Sequence, residues 1–360
     1  MKHIVIIGNS AAGMSAAKAI RNNDKSVKIT ILSDEQYPAY RRLEIAQILM
    51  NNLDLQKLFL DAPGFYEAEH IDFLPGRKVD RVIPKKNSVI LFDKTKIVYD
   101  ALIIASGRSA NVSKDVKGVS KHGVLGFRNV SNVQDITELI PISHTVCIWG
   151  AGIAGINAAY AMSKKHLDIK IIFSKGRILE GILTEEQAKF LESALKNKGI
   201  EIIFNMNIVE IFGNGDVKAI KLDSGKVIGC GILILDKNLT PNTKFLENTE
   251  VSVNPGVQVD EFLRSSLENI FAAGDVLSRK DINDECLDLP NSWDIAAAQG
   301  RIAGENALKF VRSEVAQMTS YPEDPPKGKL RILDLEFESA LTESIVKEEA
   351  TSLDCTQEDN

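Results

Sequence analysis

The sequence predicts an α/β fold made of two Rossmann-like, three-layer domains. Three observations predict it. A β-branched run, a small-residue turn, a helix-forming stretch and a second apolar run follow one another within residues 4–32. The same grammar returns within residues 146–173. The two glycine turns begin at Gly8 and Gly150, a separation too long for a solenoid repeat and suited to two separate domains in one chain of 360 residues.

Each element has a local reason. Residues 4–7 are apolar and β-branched, as in a parallel strand buried on both faces. Residues 14–21 (MSAAKAIR) are helix formers, and residues 27–32 (VKITIL) form the next strand, ending at Ser33-Asp34-Glu35. Residues 88–100 alternate and predict a surface hairpin. Residues 101–107 (ALIIASG) are an apolar strand running into a small turn. In the second half, residues 146–149, 156–165 and 169–173 predict strand, helix and strand around Gly150-Ala151-Gly152-Ile153-Ala154-Gly155. Residues 185–198 form an amphipathic helix stopped by Gly199. Strands follow at 200–204, 217–222 and 269–275, and 296–310 reads as a helix despite Gly300 and Gly304. Residues 321–329 (YPEDPPKGK) read as a linker. The last thirty residues hold one strand pair and an acidic tail.

Composition narrows the function classes. Hydrophobic residues make up 44% and charged residues 26%, values that exclude a disordered or fibrous chain. Nine acids and one base lie between Asp334 and Asn360, so the tail carries −8 of a net charge of −6 and the rest is near neutral. No basic stripe predicts a nucleic-acid partner. No apolar run approaches a membrane span or a signal-peptide core, so a cytoplasmic protein with reduced thiols is expected. The four cysteines, Cys147, Cys230, Cys286 and Cys355, form no C-x-x-C, which leaves a thiol redox pair of that kind and a zinc site without support.

The two glycine loops carry the chemistry. Gly8, Ser10, Ala12 and Gly13 lie in G-N-S-A-A-G, with serine in the middle glycine's place. A helix N-terminus there offers amides and partial positive charge to a diphosphate. Asp34 and Glu35, about twenty residues on, suit the acid that accepts from an adenosine ribose. The blander reading is a tight turn beside a solvated acidic pair. Gly150, Gly152 and Gly155 give the unbroken G-x-G-x-x-G, but no carboxylate ends the following strand. Lys175 and Arg177 are the nearest charges; they hold a 2′-phosphate or are merely surface residues.

With IVIIGNSAAG, SDEQYPAYRR, YDALIIASG, IWGAGIAG, LTPNT and NIFAAGD in this order, residues 1–320 resemble the pyridine nucleotide–disulfide oxidoreductase superfamily. The pattern is most similar to the NADH:rubredoxin and ferredoxin reductase branch. The resemblance implies FAD in the first domain and NADH or NADPH in the second. It implies that the second domain is inserted in the first: 1–110 and 241–320 for FAD, 111–240 for NAD(P), and 321–360 as linker, residual strand pair and tail. Gly8, Ser10 and Gly13 would line the FAD diphosphate, with Glu35 on the ribose. Arg41 or Arg42 would hold the phosphates or approach the flavin edge. Val79 would touch the adenine side, and Ala105, Ser106 and Gly107 would pack against FAD. Asp275, after Gly274, would accept from ribityl hydroxyls, and Trp293 to Gln299 would lie near the isoalloxazine; for Trp293, core packing is the alternative.

Departures from the superfamily pattern shape the functional expectation. Residues 41–50 (RRLEIAQILM) lack the cysteine pair of the disulfide reductases. Cys286 is expected to be a bystander. Asp236 and Lys237 stand where relatives have a small-glycine turn, which puts nicotinamide binding in question. Residues 330–339 resemble only the first strand of the relatives' C-terminal domain. An unpaired edge strand there would call for a covering partner subunit or a homodimer, or leave an open flavin. The expected function is an FAD-dependent NAD(P)H oxidoreductase serving a small redox protein, with no side-chain acid or base named as catalytic. The alternatives are an FAD relay or non-catalytic subunit that has lost nicotinamide binding, and a paralogue without cofactor.

Overall fold

The computed structural model describes residues 1–51, 54–110, 116–237, 239–280, 286–287, 293–322, 329–332 and 335–338. These divide into two compact units, each centred on a five-stranded parallel sheet. The first unit holds the described residues of Met1–Arg42, Gln56–Ser109 and Thr240–Pro326; the second holds those of Leu43–Leu55, Ala110–Leu239 and Lys327–Asn360. The segment Leu43–Leu55 thus groups with the second unit, where the helix Ala46–Asn51 packs on the helix Ile153–Ser163.

In the first unit the strand His3–Ile7 lies between Lys28–Leu32 and Ala101–Ile104, with Ile71–Leu74 and Ile270–Ala272 at the edges. Ile4, Val5 and Ile6 are fully buried, because both faces of a parallel sheet are covered. The helix Ala11–Asn23 packs along the helix Trp293–Val311. Gly300 and Gly304 sit at that contact: a Cβ on Gly304 would fall 2.8 Å from Ala16 Cα, so glycine is what the close approach demands. The expected hairpin at 88–100 is present as Ser88–Leu91 and Lys96–Val98, joined by Val79–Ile83 into a three-stranded antiparallel sheet, but its first strand is not a surface one: Ser88–Leu91 is buried at every residue.

In the second unit Thr145–Trp149 lies between Asp168–Ile172 and Ile232–Leu235, with Ile200–Ile203 and Val124–Gly126 at the edges. The helix Glu185–Lys196 opens on a capping box between Thr184 and Gln187. A three-stranded antiparallel sheet, Ile208–Phe212, Ala219–Leu222 and Val227–Gly229, adds to this unit.

Lys329–Ile332 pairs antiparallel with Leu335–Glu338, so each strand already satisfies one edge of the other. The acidic tail beyond residue 338 and most of the linker lie outside the described residues. So does most of the loop around Cys286, of which Cys286–Leu287 pairs with Leu277–Lys280. No helix among the described residues is long and apolar enough to cross a membrane.

Candidate dinucleotide sites

The first loop turns at Gly8, whose φ of +115° is a conformation that side chains disfavour. A Cβ there would also drive into the Ala105 carbonyl, where the neighbouring strand ends. Ser10 is the N-cap of Ala11–Asn23 but its hydroxyl does not cap the helix, and no acid stands in the first turn. The positive end of this helix is therefore not offset by an acid of its own first turn. Asn9 Nδ2 is buried without a hydrogen-bond partner among the described residues, while its Oδ1 accepts from the Tyr66 hydroxyl at 3.0 Å.

Glu35, past the end of Lys28–Leu32, is held on both oxygens. Tyr40 donates to one at 2.6 Å and Arg42 to the other at 2.5 Å. Arg42 Nε lies 3.4 Å from the Ser10 hydroxyl oxygen, so one guanidinium links Glu35 to the first glycine loop. Burial opposes the Arg42 charge, but Tyr40, Glu35 and Asp34 outweigh it and hold its pKa above the ordinary value. The sequence left Arg41 and Arg42 undecided. The structure turns exposed Arg41 toward the Lys57 carbonyl at 2.8 Å and Arg42 toward the loop. Asp34 is exposed.

The other first-unit candidates line the C-terminal ends of the same sheet or lie beyond it. Ala105 donates its amide to the Ile7 carbonyl at 2.7 Å, directly behind the loop. Ser106 and Gly107 are clasped by Asn242, and a Cβ on Gly107 would meet nothing within 4 Å. Gly274 donates its amide to buried Gln299 at 2.9 Å, and the Asp275 carbonyl accepts from Arg108 at 2.7 Å. Ala12 packs 3.1 Å from where a Cβ on Gly274 would lie, which joins loop, turn and helix. Trp293, half-buried, starts the long helix; Val79 is buried at the start of its strand. Tyr40, Asn242 and Gln299 have supporting contacts that their residue types alone did not signal. This set fits FAD: uncapped helix amides for a diphosphate, a fixed carboxylate for a ribose, and an open turn of small residues beside them.

The second loop is built on the same joint but filled differently. Gly150 has φ +123°, and a Cβ there would drive into the Asp236 carbonyl. Here, however, the Asp236 side chain reaches the loop. Its carboxylate accepts from the Gly155 amide at 2.7 Å and also from the Gly152 amide. Burial pushes its pKa up to about 6, against the pull of those amides and of Arg128. Beside it, Lys237 sits 4.6 Å from the Trp149 ring centre and donates to Asn207 at 3.0 Å; burial lowers its pKa. Lys175 is exposed and paired with Glu180 at 3.4 Å. Half-buried Arg177 has an Nε atom with no partner among the described residues. As arranged, the Asp236 carboxylate holds amides that this loop would otherwise offer to a nucleotide diphosphate.

Comparison with known proteins gives a consistent picture. The family model described as pyridine nucleotide-disulphide oxidoreductase matches residues 2–300. The assimilatory nitrate reductase electron transfer subunit of Bacillus subtilis (strain 168) is 25% identical over 76% of the chain, which spans only 36% of that relative. The NADH-rubredoxin oxidoreductase of Clostridium acetobutylicum is 28% identical over 91% of the chain and 79% of its own length. In fold, the chain is similar to a ferredoxin reductase structure from Rhodopseudomonas palustris, with a TM-score of 0.81 and 20% identity over 92% of this chain and 79% of that one.

Proposed function

Because the chain belongs to the pyridine nucleotide-disulphide oxidoreductase family, we propose that it is an FAD-dependent oxidoreductase that passes electrons from a nicotinamide nucleotide to a small redox protein. The observation that carries the flavin half of this reading is the Glu35–Arg42–Ser10 chain beside an uncapped helix end. When bound, FAD supplies the hydride and single-electron chemistry. The protein's own residues bind and orient. The amides that open Ala11–Asn23 and the Ser10 hydroxyl receive the diphosphate, Arg42 adds N–H donors beside Ser10, and Glu35 accepts from the ribose. Ala105, Ser106 and Gly107 form the small wall that lets the cofactor lie close to the backbone. Two relatives support an electron-transfer role: one is named an electron transfer subunit and the other an NADH-rubredoxin oxidoreductase. Residues 41–50 contain no cysteine, which supports transfer without a thiol relay in that segment.

A second reading is favoured by Asp236 in the second loop. On it, the chain is an FAD-containing relay that has lost nicotinamide binding and works with a partner. Anaerobic titration separates the two. The purified chain, with flavin absorbance, is mixed under argon with millimolar NADH and then NADPH. Bleaching by either supports the oxidoreductase. Flavin that stays oxidised with both, yet bleaches with dithionite, overturns it in favour of the relay.

A further inference from the structure

The two glycine loops differ in one residue at one joint. In the first unit Ala101–Ile104 runs parallel to His3–Ile7, and the next residue, Ala105, lies behind Gly8. In the second unit Ile232–Leu235 runs parallel to Thr145–Trp149, with Leu235 opposite Trp149, and the next residue, Asp236, lies behind Gly150. A methyl group at this joint ends short of the loop. A carboxylate does not. Asp236 Oδ2 lies 2.8 Å from where a Cβ on Gly152 would sit, and it accepts from the Gly155 amide at 2.7 Å. Those amides and the positive end of Ile153–Ser163 are what a glycine loop offers a ligand anion. Here they already serve an anion of the chain itself.

We propose that Asp236 is the specificity-determining residue of the second loop: its carboxylate stands where a dinucleotide diphosphate would bind and selects against such ligands while it remains there. The inference rests on reading the second unit as a nucleotide cradle. Two effects act together. The diphosphate needs amides that the carboxylate holds, and two anions sharing one weakly solvated site repel each other. The nearby charged groups are Arg128, which favours the ionised carboxylate, and Lys237, whose ammonium is turned to Trp149 and Asn207. Burial places the Asp236 titration at about 6, so mild acid removes the charge without emptying the space.

The test uses the full FAD-loaded chain and NAD⁺, which binds without reducing the flavin, measured by calorimetry. At pH 7.5, Asp236→Ala is expected to bind NAD⁺ at least about tenfold more tightly than the parent. Asp236→Asn, neutral but still space-filling, is expected to fall between them. The parent is expected to tighten between pH 7.5 and pH 5.5, and Asp236→Ala to stay level. Equal micromolar binding by parent and both variants would overturn the role of Asp236 and leave the cradle reading standing. No binding by parent or variants at either pH would overturn both. If Asp236→Ala fails to fold, Asp236→Asn and the parent's pH profile decide: no tightening in either refutes the proposal.

Discussion

Ser106 and Asn242 hold each other through two reciprocal hydrogen bonds. The Ser106 hydroxyl donates to the Asn242 carbonyl, and the Asn242 side-chain amide donates to the Ser106 carbonyl, each at 2.8 Å. The Asn242 backbone amide adds a third bond, to the Gly107 carbonyl at 2.9 Å. This clasp fixes the turn that backs the first glycine loop through Ala105. Asn242→Ala removes the side-chain donor and leaves the Ser106 carbonyl short of a partner. It is expected to cost about 1–2 kcal/mol and to speed flavin loss. Urea unfolding followed by flavin fluorescence reads both; a variant as stable as the parent would show that the clasp adds nothing.

Arg41 and Arg42 are neighbours in sequence with different tasks. Arg42→Ala severs Glu35 from Ser10 and removes a charge-assisted bond, so FAD uptake by the apoprotein should weaken on the order of tenfold or more. Arg41→Ala should change it by less than about twofold, since that guanidinium donates to Lys57. Fluorescence titration of apoprotein with FAD distinguishes them. Similar losses in both variants would mean that the cofactor draws on either side chain.

Asp236 also makes stability depend on pH. An unfolded carboxyl titrates near 3.8 and folded Asp236 near about 6. Between those values the folded chain binds more protons, so stability is greatest below the lower value and falls as pH rises through the upper. Asp236→Asn removes that slope and should raise stability at pH 7.5 by at most about 3 kcal/mol. Unfolding profiles from pH 4 to pH 8 test the sign; a parent that gains stability relative to Asp236→Asn across that range would contradict it.

The crossing of Ala11–Asn23 with Trp293–Val311 depends on glycine. Gly304→Val would push side-chain atoms into the Ala16 backbone and should destabilise the first unit by about 1–3 kcal/mol. Gly229→Ala, with nothing within 4 Å of its new Cβ, should change stability by less than about 0.5 kcal/mol. Thermal unfolding of the two variants compares them directly.

What the sequence disclosed was local. Buried parallel strands and glycine loops are written in contiguous residues, so both βαβ units, the 88–100 hairpin and the amphipathic helix beginning at Glu185 were legible, while its Thr184–Gln187 capping box was not read. Val124–Gly126 has three residues, too few to show a period, and it forms only because Leu233–Leu235 lies beside it. The opposite directions of Arg41 and Arg42 depend on partners at Lys57 and Glu35. Asp236 was visible as a misplaced charge. That its carboxylate reaches Gly155, 81 positions away, follows from the pairing of Ile232–Leu235 with Thr145–Trp149, a long-range register that no motif encodes.

The most direct measurement is the identity and stoichiometry of flavin released from the purified chain, with Gly13→Val alongside. Gly13 lies against the Gly8 carbonyl, where any side chain would force the loop open. The account predicts one FAD per parent chain, resolved by chromatography after denaturation, and almost none in a folded Gly13→Val variant. A colourless parent that takes up no added FAD, or a variant that binds it equally well, would contradict it.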